Sequence, residues 1–96
     1  MIWQVRYHPD VVDDLARLER PRAKQVLKAI EQRVAEGMPD RSGKPLRGGL
    51  AGCRRVRVGD VRIVYLVDRQ RRSVFILAVG QRRDEEVYNT AGRRLG

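Results

Sequence analysis

Gly52-Cys53-Arg54-Arg55-Val56-Arg57-Val58-Gly59-Asp60-Val61-Arg62-Ile63-Val64-Tyr65 decides the fold. Two runs rich in valine and isoleucine flank Gly59-Asp60, and a two-residue Gly-Asp step between such runs is a favoured hairpin turn. In a strand, residues two apart share a face. Arg55 and Arg57 therefore point one way, and Val56 and Val58 point the other. Arg62 opens the next strand just across the turn. The second strand is expected over residues 61–68 and a polar turn over 69–72. A third strand follows over 73–79, with Gly80 ending the sheet. The last two strands are apolar on both faces, which places them at the sheet centre.

Working outward, residues 2–7 alternate, with Trp3, Val5 and Tyr7 on the apolar side, and predict another strand. Asp10 is positioned to cap a short helix whose apolar residues are Val11, Val12, Leu15 and Leu18. Pro21 suits the first turn of a second helix. Its stripe is Ala23, Val26, Leu27, Ile30 and Val34, with Lys24, Lys28, Glu31 and Glu36 facing water and Gly37 at its end. Residues 38–52 read as a loop pinned by Leu46 and Leu50. Asp84 is placed to cap a last short helix carrying Val87, Ala91 and Leu95. The order is β-α-α-β-β-β-α over one domain, residues 1–96. The expected class is α+β: an N-terminal strand and a helical hairpin on a mainly antiparallel four-stranded sheet, closed by a short C-terminal helix.

Composition narrows the function. The formal net charge is +9, and most of the basic residues are arginine. Such a field attracts nucleic acid or an acidic protein. The first residues lack the apolar stretch of a secretory leader, and no apolar run is long enough to span a bilayer. A single cysteine, Cys53, excludes an internal disulfide and a paired-cysteine metal site. The cytoplasm is the expected compartment. No cluster has metal-ligand spacing and no glycine pattern fits a nucleotide, so neither metal nor cofactor is expected.

The candidate site is the set of arginines that hairpin closure brings together: Arg55, Arg57, Arg62 and, just past the third strand, Arg82 with Arg83. Tyr88 follows on the last helix. Like charges repel, and a phosphate ligand is the usual reason to gather them, because guanidinium forks match its oxygens. The bland alternative is a solvated face with Asp60 and Asp84 as neighbours. His8 fits a capping or surface role, and Cys53 fits a small strand residue. Trp3, Tyr7, Tyr65 and Phe75 fit the core.

These residues resemble the RelE/ParE toxin superfamily. The stretch 52–65 is similar to its central G-x-x-R-x-R-x-G-x-Y-R core. Lys44-Pro45-Leu46-Arg47-Gly48 resembles the segment upstream of that core. Val79-Gly80-Gln81-Arg82 with Glu86-Val87-Tyr88 resembles the ending of RelE. The resemblance implies a toxin of a type II toxin–antitoxin system, a ribosome-dependent endoribonuclease that cuts mRNA in the A site. It implies Arg57, Arg62, Arg82 and Tyr88 as the catalytic set, with Arg55, Arg54, Arg83 and Lys44 holding RNA or phosphate. Arg57 and Arg62 would stabilise the phosphorane, and Arg55 would position the phosphate. Arg82 would serve the leaving oxygen, and Tyr88 would stack on a base or relay a proton. It also implies an acidic or amphipathic RelB-like antitoxin, binding of promoter DNA through the antitoxin complex, and no membrane association. Two departures stand out. RelE has lysines at the paired positions where this chain has Arg55 and Arg57, and Val61 replaces the usual tyrosine. The competing readings are a ParE-like gyrase inhibitor without chemistry and an inactive nucleic-acid-binding relative.

Overall fold

Strands β4 (Val61–Asp68) and β5 (Ser73–Gln81) carry apolar side chains on both faces, so the sheet they centre must be covered twice. The computed structural model describes residues 2–81 and 86–95. Its sheet has the order β1-β5-β4-β3-β2, with β1 (Gln4–Tyr7), β2 (Lys44–Pro45) and β3 (Cys53–Val58) completing it. Every neighbouring pair is antiparallel except β1 with β5. The fifth strand is the two-residue β2, inside the stretch expected to be loop. Nothing in Lys44-Pro45 signals a strand, and it forms because β3 offers it an edge.

The first face is covered by α1 (Val11–Ala16) and α2 (Arg20–Ala29), the latter continuing as a wider π-helical stretch over Ile30–Ala35. Val11, Leu18, Val26, Ile30 and Val34 meet Val56, Ile63, Tyr65, Val74 and Ile76 there. Leu27, expected in this stripe, is exposed, as is Val12 on α1. Ala29, next to Ile30, is buried instead, so the stripe is narrower than the sequence pattern suggested. Asp10 holds the N-cap position without a side-chain cap bond, and its own N–H donates to His8 Nδ1 at 3.1 Å. His8 therefore shapes the entry to α1, as its position in sequence implied.

The second face is covered by α3 (Glu86–Leu95), whose Val87 and Ala91 pack on Cys53, Val64, Leu77 and Ala78. Burial raises the Cys53 thiol pKa, which fits a packing residue and not a nucleophile. Gly80 does not end the sheet. It lies inside β5 opposite Arg62. A Cβ there would stand 3.2 Å from Val87 Cβ, so the missing side chain is what lets α3 lie close. The expected cap Asp84 is outside the described residues.

Two polar side chains on the first face hold residues 38–43. Tyr65 Oη lies 2.9 Å from the Pro39 carbonyl and 3.1 Å from that of Ser42. Arg54 donates to the carbonyls of Ser42, Arg41 and Gly43 at 2.9, 3.0 and 3.1 Å. Burial outweighs these contacts and raises the Tyr65 phenol pKa, so the hydroxyl stays neutral and donates. Tyr65→Phe leaves buried carbonyls short of a donor and is expected to lower stability by about 1–2 kcal/mol. Urea unfolding monitored by Trp3 fluorescence measures this. A midpoint equal to wild type would mean that Tyr65 acts only by its ring.

Candidate active site

The β3–β4 hairpin brings two arginines face to face. Arg57 and Arg62 are direct partners across the antiparallel pair, and Arg55 pairs with Val64 two positions along. Directly opposed residues have Cβ atoms about 5 Å apart, and like charges there destabilise the pair. Arg57 is exposed, Arg55 is half-buried and Arg62 is only 8% exposed. Three cations thus share one sheet face, one of them almost withdrawn from solvent.

Two further groups adjoin them. Lys44 on β2 pairs with Arg55 and is exposed. Tyr88 on α3 places its hydroxyl 3.5 Å from Arg55 Nη1, a long contact with room to tighten around a ligand. Arg55 Nε is buried and has no partner among the described residues. A buried N–H without an acceptor costs about 1–3 kcal/mol. Arg33 donates to the Arg57 carbonyl at 2.7 Å and so fixes the backbone beneath the opposed pair.

The structure therefore brings together Arg55, Arg57, Arg62, Lys44 and Tyr88. It does not bring Arg54 to them. Arg54 points through the other side of β3, where three carbonyls occupy its guanidinium. Arg82 and Arg83 lie outside the described residues. Among the described residues no group of acidic, histidine or cysteine side chains could hold a metal ion. No described helix is long and apolar enough to cross a membrane.

Sequence reasoning missed one pair outright. Asp14 on α1 is buried and accepts from Arg94 of α3 through both oxygens, at 2.7 and 3.0 Å. The same carboxylate accepts the Val79 N–H at 3.0 Å, while Arg94 also donates to the Leu77 carbonyl at 3.0 Å. The only sequence signal was a carboxylate three residues after Val11, on the inward side of a short helix. Its partner lies 80 residues away, too far for any local pattern.

Comparison with known proteins gives a consistent result. The family described as ParE toxin of type II toxin-antitoxin system, parDE, matches residues 5–86. A chain of the toxin–antitoxin complex RelBE2 from Mycobacterium tuberculosis is 32% identical, with 88% of this chain and 95% of that one covered and a TM-score of 0.78. A chain of the archaeal RelE-RelB complex from Pyrococcus horikoshii is 26% identical, with coverage of 88% and 99% and a TM-score of 0.69. A mutant of the E. coli toxin RelE in the free state shares the fold at 24% identity, full coverage of both chains and a TM-score of 0.80. No curated protein sequence matches the chain.

The face predicts how the chain holds a polyanion. Removing one cation that touches a phosphate should reduce the slope of log affinity against log salt by about 0.7 for a single-stranded oligonucleotide. Arg55→Ala, Arg57→Ala and Arg62→Ala should each show that reduction in a fluorescence-anisotropy titration. Arg54→Ala should destabilise the fold and leave the slope alone. An equal reduction in Arg54→Ala would mean that charge acts diffusely and no discrete face exists.

Proposed function

The chain belongs to the RelE/ParE toxin superfamily of type II toxin–antitoxin systems, and from that premise we propose that it is an RNA-cleaving, RelE-like toxin: a ribosome-dependent endoribonuclease that cuts mRNA in the A site and stops translation. The observation that carries this reading is the arrangement of Arg57 opposite Arg62, with Arg55 and Tyr88 beside them on one face. A toxin that acts only by gripping a protein has no need for a phenol placed against a cluster of guanidiniums.

Cleavage by transesterification sends the 2′-oxygen onto phosphorus and expels the 5′-oxygen. It needs a base for the 2′-hydroxyl, stabilisation of the charge that develops at phosphorus, and a proton for the leaving group. Arginine cannot act as the base, because its guanidinium does not give up its proton in a protein. Arg57 and Arg62 supply the charge, aimed at the non-bridging oxygens of the phosphorane. Arg55 holds the phosphate through its guanidinium, whose Nε has no partner among the described residues. Tyr88 and Lys44 are the members of the described set that can take or give a proton, and Tyr88 can also stack on a base. Arg82 is proposed to serve the leaving oxygen, on the family pattern alone, with Arg83 and Lys44 adding backbone contacts. The ribosome supplies the orientation of the mRNA, and holding reactants in line is worth several orders of magnitude.

The partner reading follows the relatives. Solved relatives are toxin–antitoxin complexes from M. tuberculosis and P. horikoshii. A RelB-like antitoxin with acidic or amphipathic character suits a chain of net charge +9. Promoter DNA would be bound through that complex, and the site of action would be the cytoplasm.

The matching family carries the ParE name, and this favours one alternative: inhibition of DNA gyrase without chemistry. Induction in bacteria separates the two. Translation should stop first while replication continues, whereas early DNA damage would identify the gyrase reading. Arg57→Ala and Arg62→Ala should each lower cleavage of ribosome-bound mRNA about a hundredfold, or about 3 kcal/mol, while still folding and binding the antitoxin. Arg82→Ala should do the same, and Tyr88→Ala should weaken cleavage. Arg71, in the turn between β4 and β5 and 83% exposed, is the control. Primer extension reads all five variants. Cleavage unchanged in every site variant would rule out this site.

A further inference from the structure

Strand β5 is longer than the parallel strand beside it. β1 pairs with Ser73 to Ile76 and stops at Tyr7, and the His8 N–H takes the Ile76 carbonyl. β5 runs on to Gln81. A bulge falls at this point, since Val64 pairs with Ala78 but Tyr65 pairs with Ile76, leaving Leu77 extra. The backbone just past β1 therefore needs partners from elsewhere. It finds them in one ion pair: Asp14 takes the Val79 N–H and Arg94 gives to the Leu77 carbonyl. The two side chains are joined by the forked contacts at 2.7 and 3.0 Å, with side-chain exposures of 4% and 12%.

Arg94 sits in the last turn of α3, and Tyr88 sits six residues, about one and two-thirds turns, earlier on the same helix. Ten residues make a marginal helix in water, so α3 depends on its anchors. A cavity of about 260 Å³ lies between α1, the end of β5 and the first half of α3, lined by Asp14, Arg17, Val79, Gly80, Val87 and Thr90. The half of α3 that carries Tyr88 is held to the sheet by Val87 over Gly80, and on the α1 side the polar anchor is at Arg94.

We infer that Asp14 and Arg94 are positioning residues: they form a clasp that closes the surplus edge of β5, fixes α3 across the sheet and thereby sets Tyr88 against Arg55. The clasp touches neither phosphate nor base. It acts on the site only through where it holds the helix. Its effect on cleavage rests on the RNA-cleaving reading above, and its effect on α3 does not.

The test uses the full chain with Asp14→Asn and Arg94→Leu combined. This removes both charges together and keeps an acceptor for the Val79 N–H, so no buried charge is orphaned. Hydrogen exchange of the α3 amides should quicken by about tenfold or more, while β4 and β5 amides keep their wild-type rates. Arg94→Lys, which keeps the charge without the fork, should fall between. Cleavage should drop in the double variant by the same factor as in Tyr88→Ala, and adding Tyr88→Ala to it should cost nothing more. Wild-type exchange in α3, or equal acceleration of helix and sheet, overturns the clasp. Faster α3 exchange with effects on cleavage that multiply with Tyr88→Ala overturns the link to the site. If the wild-type chain cuts no ribosome-bound mRNA, the exchange result still decides whether the clasp holds α3, and the failure belongs to the functional reading.

Discussion

A sheet whose central strands are apolar on both faces cannot be left open on either. β4 buries Val61, Ile63 and Tyr65 on one side and Val64 on the other, and β5 divides Val74, Ile76 and Val79 from Leu77 and Ala78 in the same way. The first side is closed by two helices that precede the hairpins in sequence. The second is covered by the ten-residue α3. Arg55, Arg57 and Arg62 lie on this same face, Arg57 exposed, Arg55 half-buried beside Tyr88 of α3, and Arg62 nearly buried.

The arginines are tolerable there because their environments differ. Arg57 reaches solvent and dissipates its field in water. Arg62 is nearly buried, and Arg55 keeps an Nε without a partner among the described residues. Opposed cations on adjacent strands destabilise the free chain. An anionic ligand of the proposed kind would relieve that repulsion.

Much of this was legible in the sequence, for a local reason. Strand alternation is fixed by backbone geometry, so Arg55 and Arg57 sharing a face followed from spacing, and the Gly59-Asp60 turn placed Arg62 beside them. The same rule set Arg54 with Val56, on the opposite side from Arg55, although the family pattern had grouped it with the phosphate contacts. Other features depend on partners remote in sequence. β2 exists only because β3 has a free edge. Gly80 looked like a strand end, yet Val87 packing above it explains why a glycine lies inside the strand. Leu27 matched the helical period and still faces solvent, because periodicity does not give the width of the buried stripe. The pair Asp14 and Arg94 had no local signal strong enough to join residues 80 apart.

The replacement of lysine by arginine changes how labour is divided within such a site. A lysine pair can hold charge and, when crowded, surrender a proton; arginine can only hold charge. Three guanidiniums on rigid strands therefore make a fixed electrostatic template with no proton chemistry of its own. Under the proposed RNA-cleaving function, proton transfer would fall to Tyr88, to Lys44 beside Arg55, or to groups of the bound substrate. Tyr88 rides on a short helix held by the apolar packing of Val87 and Ala91 and, near its C-terminal end, by the Arg94 ion pair. Because a misplacement near 1 Å can cost about a hundredfold in rate, the placement of α3 carries more weight here than in a site whose β3 residues could move protons themselves. On this reading, with arginine at positions 55 and 57, the demand for precision falls on a helix and on the buried ion pair that helps to hold it.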